Sequence, residues 1–292
     1  MKILLVGKKG QVGWELNRIL SGSCELIALE RKDLDLAKPD QIRKKIQEIK
    51  PGLIINAAAY TAVDQAENEP ELAMAVNETA PRVLAGEAKQ LNGALIHFST
   101  DYVFDGETRQ PYTEKAATNP LNVYGHTKLK GDISIQKLQI PYLIFRTGWV
   151  YGLKGENFLL TMQRLAAEKK ELRIVDDQVG TPTWCVSIAE AVGKIILNLL
   201  QRDQLNIITA IKNISGIYNM TCMGETSWHG FAQAIFEKSG RTAPKLTPVP
   251  TTEHPTPATR PKYTVLSNLK LKKSFNIELP EWQTSLKHCL KP

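Results

Sequence analysis

Cysteine is scarce in this 292-residue chain: Cys24, Cys185, Cys222 and Cys289 are scattered, with no Cys-x-x-Cys pair. That excludes a disulfide framework or a zinc ribbon and leaves reduced thiols as the expectation. The five histidines (His97, His126, His229, His254, His288) are equally dispersed, and no spacing suits a metal site. Long apolar runs are missing too. Stretches such as Ile195 to Leu200 fall far short of the ~20 residues a membrane helix needs. Met1-Lys2 leads straight into Ile3-Leu4-Leu5-Val6 with no small-residue cleavage site, so neither signal peptide nor membrane is expected, and the cytoplasm is the expected location. The chain lacks a Gly-x-Ser-x-Gly elbow and a Gly-x-x-x-x-Gly-Lys-Ser/Thr loop, which argues against a serine hydrolase and an NTPase. Internal repeats and low-complexity tracts are absent.

What remains is an ordinary globular composition, 42% hydrophobic and 23% charged, long enough for one large domain or two closely joined ones. The net charge of +7 is uneven: from Lys212 onward eleven Lys/Arg face five Asp/Glu. Such a half attracts anions. Without a nucleic-acid motif or interleaved aromatic and basic residues, a phosphorylated small molecule or a solvated basic surface is favoured over nucleic acid.

Taken in order, Lys2 to Val6 reads as a buried strand, followed by Gly7-Lys8-Lys9-Gly10-Gln11-Val12-Gly13 and an amphipathic stretch to Leu20. Strand, glycine turn and helix start present backbone N–H groups to a pyrophosphate, so this segment is the expected dinucleotide site. The second strand, Glu25 to Leu29, ends at Glu30-Arg31-Lys32, where such folds contact the adenosine ribose. Glu30 argues for NADH and Arg31 with Lys32 for NADPH; NADPH is favoured, with tolerance of both. Pro39 to Ile49 is helical by spacing, and Leu53 to Asn56 is a strand running into the small residues Ala57, Ala58 and Ala59. Glu71 to Leu91 is expected as one helix, Ala94 to Ser99 as a strand leading to Thr100, and Tyr142 to Arg146 as a fifth strand. Strands alternating with helices imply an α/β fold with a doubly wound parallel sheet, ligands binding at the strands' carboxyl ends. Gly7, Ala57, Thr100 and Thr147 fall at those ends.

Between the last two strands lies Asn122-Val123-Tyr124-Gly125-His126-Thr127-Lys128. On a helix Tyr124 and Lys128 share one face a turn apart. A lysine ammonium beside a phenol lowers the phenol's pKa, which would let Tyr124 exchange a proton near neutral pH, with the Thr100 hydroxyl on the same oxygen. The alternative is an exposed tyrosine and a solvated lysine. Past Trp149 the rhythm changes. Helices are expected from Asn157-Phe158 to about Lys170, over Val186 to Leu200 and from Ser227-Trp228 through Phe236, with strands at Leu172 to Val175 and Ile217 to Met220. Thr247 to Pro261, with five prolines, reads as an irregular loop. The expected division is a dinucleotide-binding domain over 1–148 and a mainly substrate-binding domain over 149–292, with about 172–200 packing back on the sheet. Trp149, just past a strand end, is either a core aromatic or a stacking surface.

These blocks resemble the extended short-chain dehydrogenase/reductases, and most closely the dTDP-4-dehydrorhamnose reductases among them. The resemblance rests on Gly7 to Leu16, Asn56 to Asp64, Ser99 to Gly106, Asn122 to Gly125, Arg146 to Tyr151, Asp177 to Thr183 and Pro255 to Pro261, and so covers nearly the whole chain. It implies a Rossmann-type sheet with a smaller carboxyl-terminal domain. The implied activity is reduction, by NADPH or NADH, of the C4 ketone of dTDP-4-dehydro-β-L-rhamnose to dTDP-β-L-rhamnose for surface polysaccharide. By the same resemblance Tyr124 protonates the developing alkoxide, Lys128 holds the cofactor ribose and tunes Tyr124, and Thr100 hydrogen-bonds the same oxygen. Asp101 and Trp149 match sugar-contact positions. Gly10, Gln11, Val12, Asp35, Leu36, Ala59, Tyr60 and Thr61 match cofactor-contact positions, alongside Gly7, Glu30, Arg31 and Ala57. Some members dimerise around magnesium held by glutamates. Here Glu15 is present but Val186 and Pro292 stand at the other two positions, a departure from the family pattern, so no metal is expected, and either a monomer or a homodimer. A non-catalytic regulatory subunit on this fold, or an epimerase or reductase of another nucleotide sugar, are the alternatives.

Overall fold

The computed structural model describes residues 1–202, 207–240 and 243–291. The first half follows the expected alternation. Strand β1 (Lys2–Val6) leads to helix α1 (Gln11–Leu20), then β2 (Glu25–Leu29), α2 (Pro39–Ile49), β3 (Leu53–Asn56) and the short helices α3 (Val63–Ala66) and α4 (Pro70–Met74). A π-helical turn, Ala75–Thr79, joins α4 to α5 (Ala80–Gln90), so the single helix expected over Glu71 to Leu91 is interrupted. The cause is Pro81: without an N–H it cannot bond the Asn77 carbonyl four residues back, and the register slips there. Strand β4 (Ala94–Thr100), α6 (Val123–Lys137) and β5 (Tyr142–Thr147) complete this half.

Beyond it come β6 (Val150–Tyr151), α7 (Phe158–Glu168), β7 (Glu171–Val175), β8 (Val179–Gly180), β9 (Thr183–Trp184), α8 (Cys185–Arg202) and α9 (Ile207–Asn213). They are followed by β10 (Gly216–Asn219), β11 (Thr226–Ser227), α10 (Trp228–Ser239), β12 (Lys245–Val249), α11 (Leu269–Phe275) and α12 (Trp282–Cys289).

Six strands form one parallel sheet in the order β10-β5-β4-β3-β1-β2. Its outermost member next to β5, β10, comes from the late part of the chain, so the sheet is not confined to residues 1–148. Alternate residues of the buried strands go to opposite faces. Ile3, Leu5, Ile55, Ile96 and Phe145 share a cluster with α1, α8 and the late helices, whereas Leu4, Val6, Ile54, Leu95 and Ile144 pack with α2 and α5. Helix α8 lies against α1, while β7 pairs with β12 in a separate parallel ribbon.

That ribbon corrects the loop expected over Thr247 to Pro261, since Thr247 to Val249 are strand. Lys245 N donates to Lys170 O and Asp176 N donates to Val249 O. Odd-numbered residues of β12 therefore face β7, and Pro248 turns its missing donor away from the ladder.

Candidate active site

At the carboxyl end of β1, Gly7 has φ +92°, a conformation that side chains rarely adopt, and its missing Cβ would stand 2.9 Å from Ala58. Gly13, in the first turn of α1, crosses so close to the loop that a Cβ there would fall 2.1 Å from the Gly7 carbonyl. Helix α1 begins at an N-cap Gly10 with no side-chain cap and no acidic residue in its first turn. Its leading N–H groups remain available, which fits an anionic diphosphate. Gln11 accepts from Asn157 Nδ2 (2.9 Å), tying this turn to the segment before α7. Val12, Ala57, Ala59 and Tyr60 are half-buried around the loop, and Thr61 is exposed. Asn77 holds Tyr60 by both backbone atoms, accepting from its N (2.9 Å) and donating to its O (3.0 Å).

At the end of β2, Glu30 is buried beneath Lys9 (2.5 Å) and Lys32 (2.8 Å), and these cations hold its carboxyl at about 2. Arg31 is exposed beside it. Asp35 caps its own turn, accepting from Ala37 N at 3.0 Å, and the Leu36 side chain is buried in the cluster with α2 and α5, which leaves only its backbone for a ligand.

Asn122 caps α6, accepting from Gly125 N (2.8 Å) while donating to Thr259 O (2.8 Å) from the carboxyl-terminal half. Tyr124 and Lys128 follow on this helix as the spacing predicts. Thr100 ends β4, where its hydroxyl donates to Asp101 Oδ1 (3.0 Å). Burial pushes the Asp101 carboxyl up to about 6. The Tyr124 ring meets Tyr102 edge-on, with centroids 5.9 Å apart.

The electrostatics differ from the expected pairing. The Tyr124 phenol is pushed up, not down, to about 12. Desolvation is the main cause; the hydrogen bond shared with Thr100 opposes it, and the Asp101 and Asp132 carboxylates add to it. Lys128 turns inward, with Nζ 2.6 Å from Phe98 O and 3.1 Å from His97 Nε2, and burial lowers its pKa to about 8. Among the described residues it makes no hydrogen bond to Tyr124.

Trp149 has φ +49°, unusual for a bulky residue, and its indole stacks on Trp228 with centroids 3.4 Å apart. Trp228 Nε1 donates to Gln178 Oε1 (3.2 Å), so the stack is tethered. Glu15 pairs with Arg18 (2.8 Å), and Pro292 lies outside the described residues.

Several residues that organise the site escaped the sequence reading. Arg260 clamps Asp64 (2.7 and 3.0 Å), anchoring the proline-rich segment over the Ala57 to Asp64 loop. Asp132 and Arg146 form a buried pair (3.4 Å) behind α6, with Ser99 donating to the carboxylate (2.8 Å). The signal for His97 was a polar residue inside the apolar strand Ala94 to Phe98.

A family model described as "RmlD substrate binding domain" matches residues 1–292. A dTDP-4-dehydrorhamnose reductase of Burkholderia thailandensis is 43% identical over 299 aligned residues, covering 100% of this chain and 98% of the relative. Among solved structures, a dTDP-4-dehydrorhamnose reductase of Clostridium acetobutylicum superposes with a TM-score of 0.89 at 41% identity, covering 99% of this chain and 98% of its own. The corresponding enzyme of Bacillus anthracis, solved in complex with NADP, gives a TM-score of 0.88 at 33% identity with the same coverage. The likeness spans the whole chain, which therefore belongs to the RmlD substrate binding domain family.

Proposed function

We propose that this chain is an NAD(P)H-dependent oxidoreductase that reduces the C4 ketone of dTDP-4-dehydro-β-L-rhamnose to dTDP-β-L-rhamnose. The observation that carries the reading is a desolvated Tyr124, its phenol kept protonated by burial beside Thr100, with Thr100 at the carboxyl end of the same sheet whose first strand runs into the glycine cradle of Gly7, Gly10 and Gly13. When bound, the nicotinamide supplies the hydride. Tyr124 Oη then hands its proton to the carbonyl oxygen as negative charge develops, and Thr100 strengthens its hydrogen bond to the same oxygen. Lys128 binds the cofactor ribose, while Gln11, Val12 and the backbone from Ala57 to Thr61 line the dinucleotide. Asp101 accepts the Thr100 O–H in the ligand-free site and contacts the sugar once Thr100 turns that one donor to the ketone oxygen, and the Trp149–Trp228 stack forms one wall for the sugar. Lys9, Arg31 and Lys32 around Glu30 support acceptance of NADPH, with NADH tolerated. Among the described residues no helix is long and apolar enough to cross a membrane.

A panel of nucleotide-sugar ketones offered with NADPH and with NADH tests this reading. Turnover of the dTDP-linked 4-ketone is expected. Turnover of a different nucleotide sugar alone would overturn it. Replacing Tyr124 by Phe is expected to lower kcat by about 10²-fold or more while NADPH binding is kept, because the phenol is the proton donor.

A further inference from the structure

The turn that follows β2 and the glycine loop that follows β1 are stitched together by backbone. Gly7 N and Lys8 N both donate to Leu29 O, at 2.9 and 3.1 Å. Past Leu29 the chain closes tightly: Asp33 N and Leu34 N donate to Glu30 O, and Glu30 N donates to Asp33 Oδ2 (3.1 Å). Two lysines from different elements thereby converge on one carboxylate. Lys9, from the glycine loop, reaches Glu30 Oε2 (2.5 Å), and Lys32, from the turn, reaches Oε1 (2.8 Å). Glu30 is 5% exposed, whereas the two lysine side chains are 72% and 75% exposed. The carboxylate is the floor of this arrangement and the ammonium groups are its open surface.

At this place in a dinucleotide fold an acidic side chain ordinarily accepts from the adenosine 2′-hydroxyl, and basic groups accommodate a 2′-phosphate. Here both Glu30 oxygens are already engaged by cations. A neutral ribose hydroxyl is a weaker donor than the ammonium it would have to displace. Each ammonium has three N–H donors, and Glu30 takes one, so the others are left for a ligand. Arg31 is exposed beside Lys32, and Lys8 is matched by Asp33 (3.6 Å). Across the Lys8-Lys9 and Glu30 to Asp33 segments four cations meet two carboxylates. That excess of two charges suits the near-dianionic phosphate of a phosphomonoester.

We propose that Lys9 and Lys32 determine cofactor specificity: their ammonium groups form the seat for the adenosine 2′-phosphate of NADPH, and Glu30 is the buried counter-charge that joins them and is closed to the ribose hydroxyl. The seat depends on reading the chain as an NAD(P)H-dependent oxidoreductase, though not on which sugar is reduced. Because Lys9 belongs to the loop that receives the diphosphate, one segment recognises both phosphate groups of the cofactor. The two cations hold the Glu30 carboxyl at about 2, so the bridge between them stays charged at neutral pH. NADH is tolerated because its hydroxyl leaves these ion pairs intact and lacks only the phosphate contacts.

Calorimetric titration with NADP⁺ and NAD⁺, and with adenosine 2′,5′-bisphosphate against AMP, reads the seat without turnover. Lys9→Gln and Lys32→Gln, both at exposed positions, are each expected to weaken NADP⁺ by about 5-fold or more. NAD⁺ should bind as before or more tightly, since an uncovered Glu30 becomes able to accept the 2′-hydroxyl. The two fragments should show the same contrast. Glu30→Gln is expected to leave NAD⁺ binding unchanged in the parent, yet to weaken it by about 5-fold when Lys9→Gln and Lys32→Gln have bared the carboxylate. Should Glu30→Gln fail to fold, the lysine variants carry the test alone. Equal losses of both dinucleotides in those variants, or no loss of either, would overturn the proposal, the cations then serving only as general attraction or as solvated charge. Weaker NAD⁺ binding in Glu30→Gln alone would overturn it too, because Glu30 would then contact the ribose. Binding of neither dinucleotide would remove the seat and the oxidoreductase reading together, whereas the expected contrast without turnover of any nucleotide-sugar ketone would remove only the latter.

Discussion

Asp101 is 3% exposed, and its nearest polar contact is a neutral hydroxyl rather than a cation. Its folded pKa of about 6 lies above the ~3.9 of an unfolded aspartate, so the folded state binds the proton more tightly. The side chain is therefore free of penalty only below the unfolded value, where it is the neutral acid in both states. Its penalty grows from about pH 4 to 6 and reaches about 3 kcal/mol above that. Asp101→Asn should accordingly gain stability relative to the parent at pH 8 compared with pH 4, as read from urea midpoints. Parallel stability curves would show that the group is not strained. This burial was not legible in the sequence, where Ser99-Thr100-Asp101 reads as a polar strand end. The Lys128 orientation was hidden for a related reason. Helical spacing places its Cα, but four rotatable bonds let the amine reach either Tyr124 or the sheet interior, and only the carbonyl of Phe98 and the ring of His97 decide.

Among the elements, the π turn has the most to do with the site. It carries Asn77, fully buried, whose amide holds both backbone atoms of Tyr60 and also donates to Thr127 on α6 (3.1 Å). Asn77→Ala removes three hydrogen bonds, one buried and two part-buried, and is expected to cost about 2–4 kcal/mol of stability. NADPH affinity should weaken too, since the Ala57 to Thr61 loop is released. Denaturant titration and cofactor fluorescence measure the two effects; a loss of stability with unchanged affinity would disconnect this turn from the cofactor loop. The buried strands were readable because short apolar runs between glycine turns have few other uses. Two elements were not. Proline marks a loop in local sequence, yet alternate residues of an edge strand need no donor, so β12 carries Pro248 within a ladder. The Glu71 to Leu91 periodicity survives a one-residue slip, so the interruption at Pro81 leaves little trace in the pattern.

On the scale of the molecule, the late chain is built into the early sheet. β10 pairs with β5, Arg260 grips Asp64, and the Asn122 cap of α6 reaches Thr259. With so many ties between the halves, equilibrium unfolding should be a single transition, with tryptophan fluorescence and far-ultraviolet circular dichroism changing together. Two separated transitions would show instead that residues 1–148 stand alone. The doubly wound sheet was visible in the sequence, and so was a strand at Ile217 to Met220, but its place as the sixth strand beside β5 was not, because parallel partners are chosen across long connections rather than by neighbouring residues. That late strand also matters during synthesis. Until Gly216 to Asn219 clear the ribosome, β5 presents an unpaired row of backbone donors and acceptors. A nascent chain paused in α8 therefore exposes an open sheet edge, and chaperone capture is expected to fall once β10 has emerged.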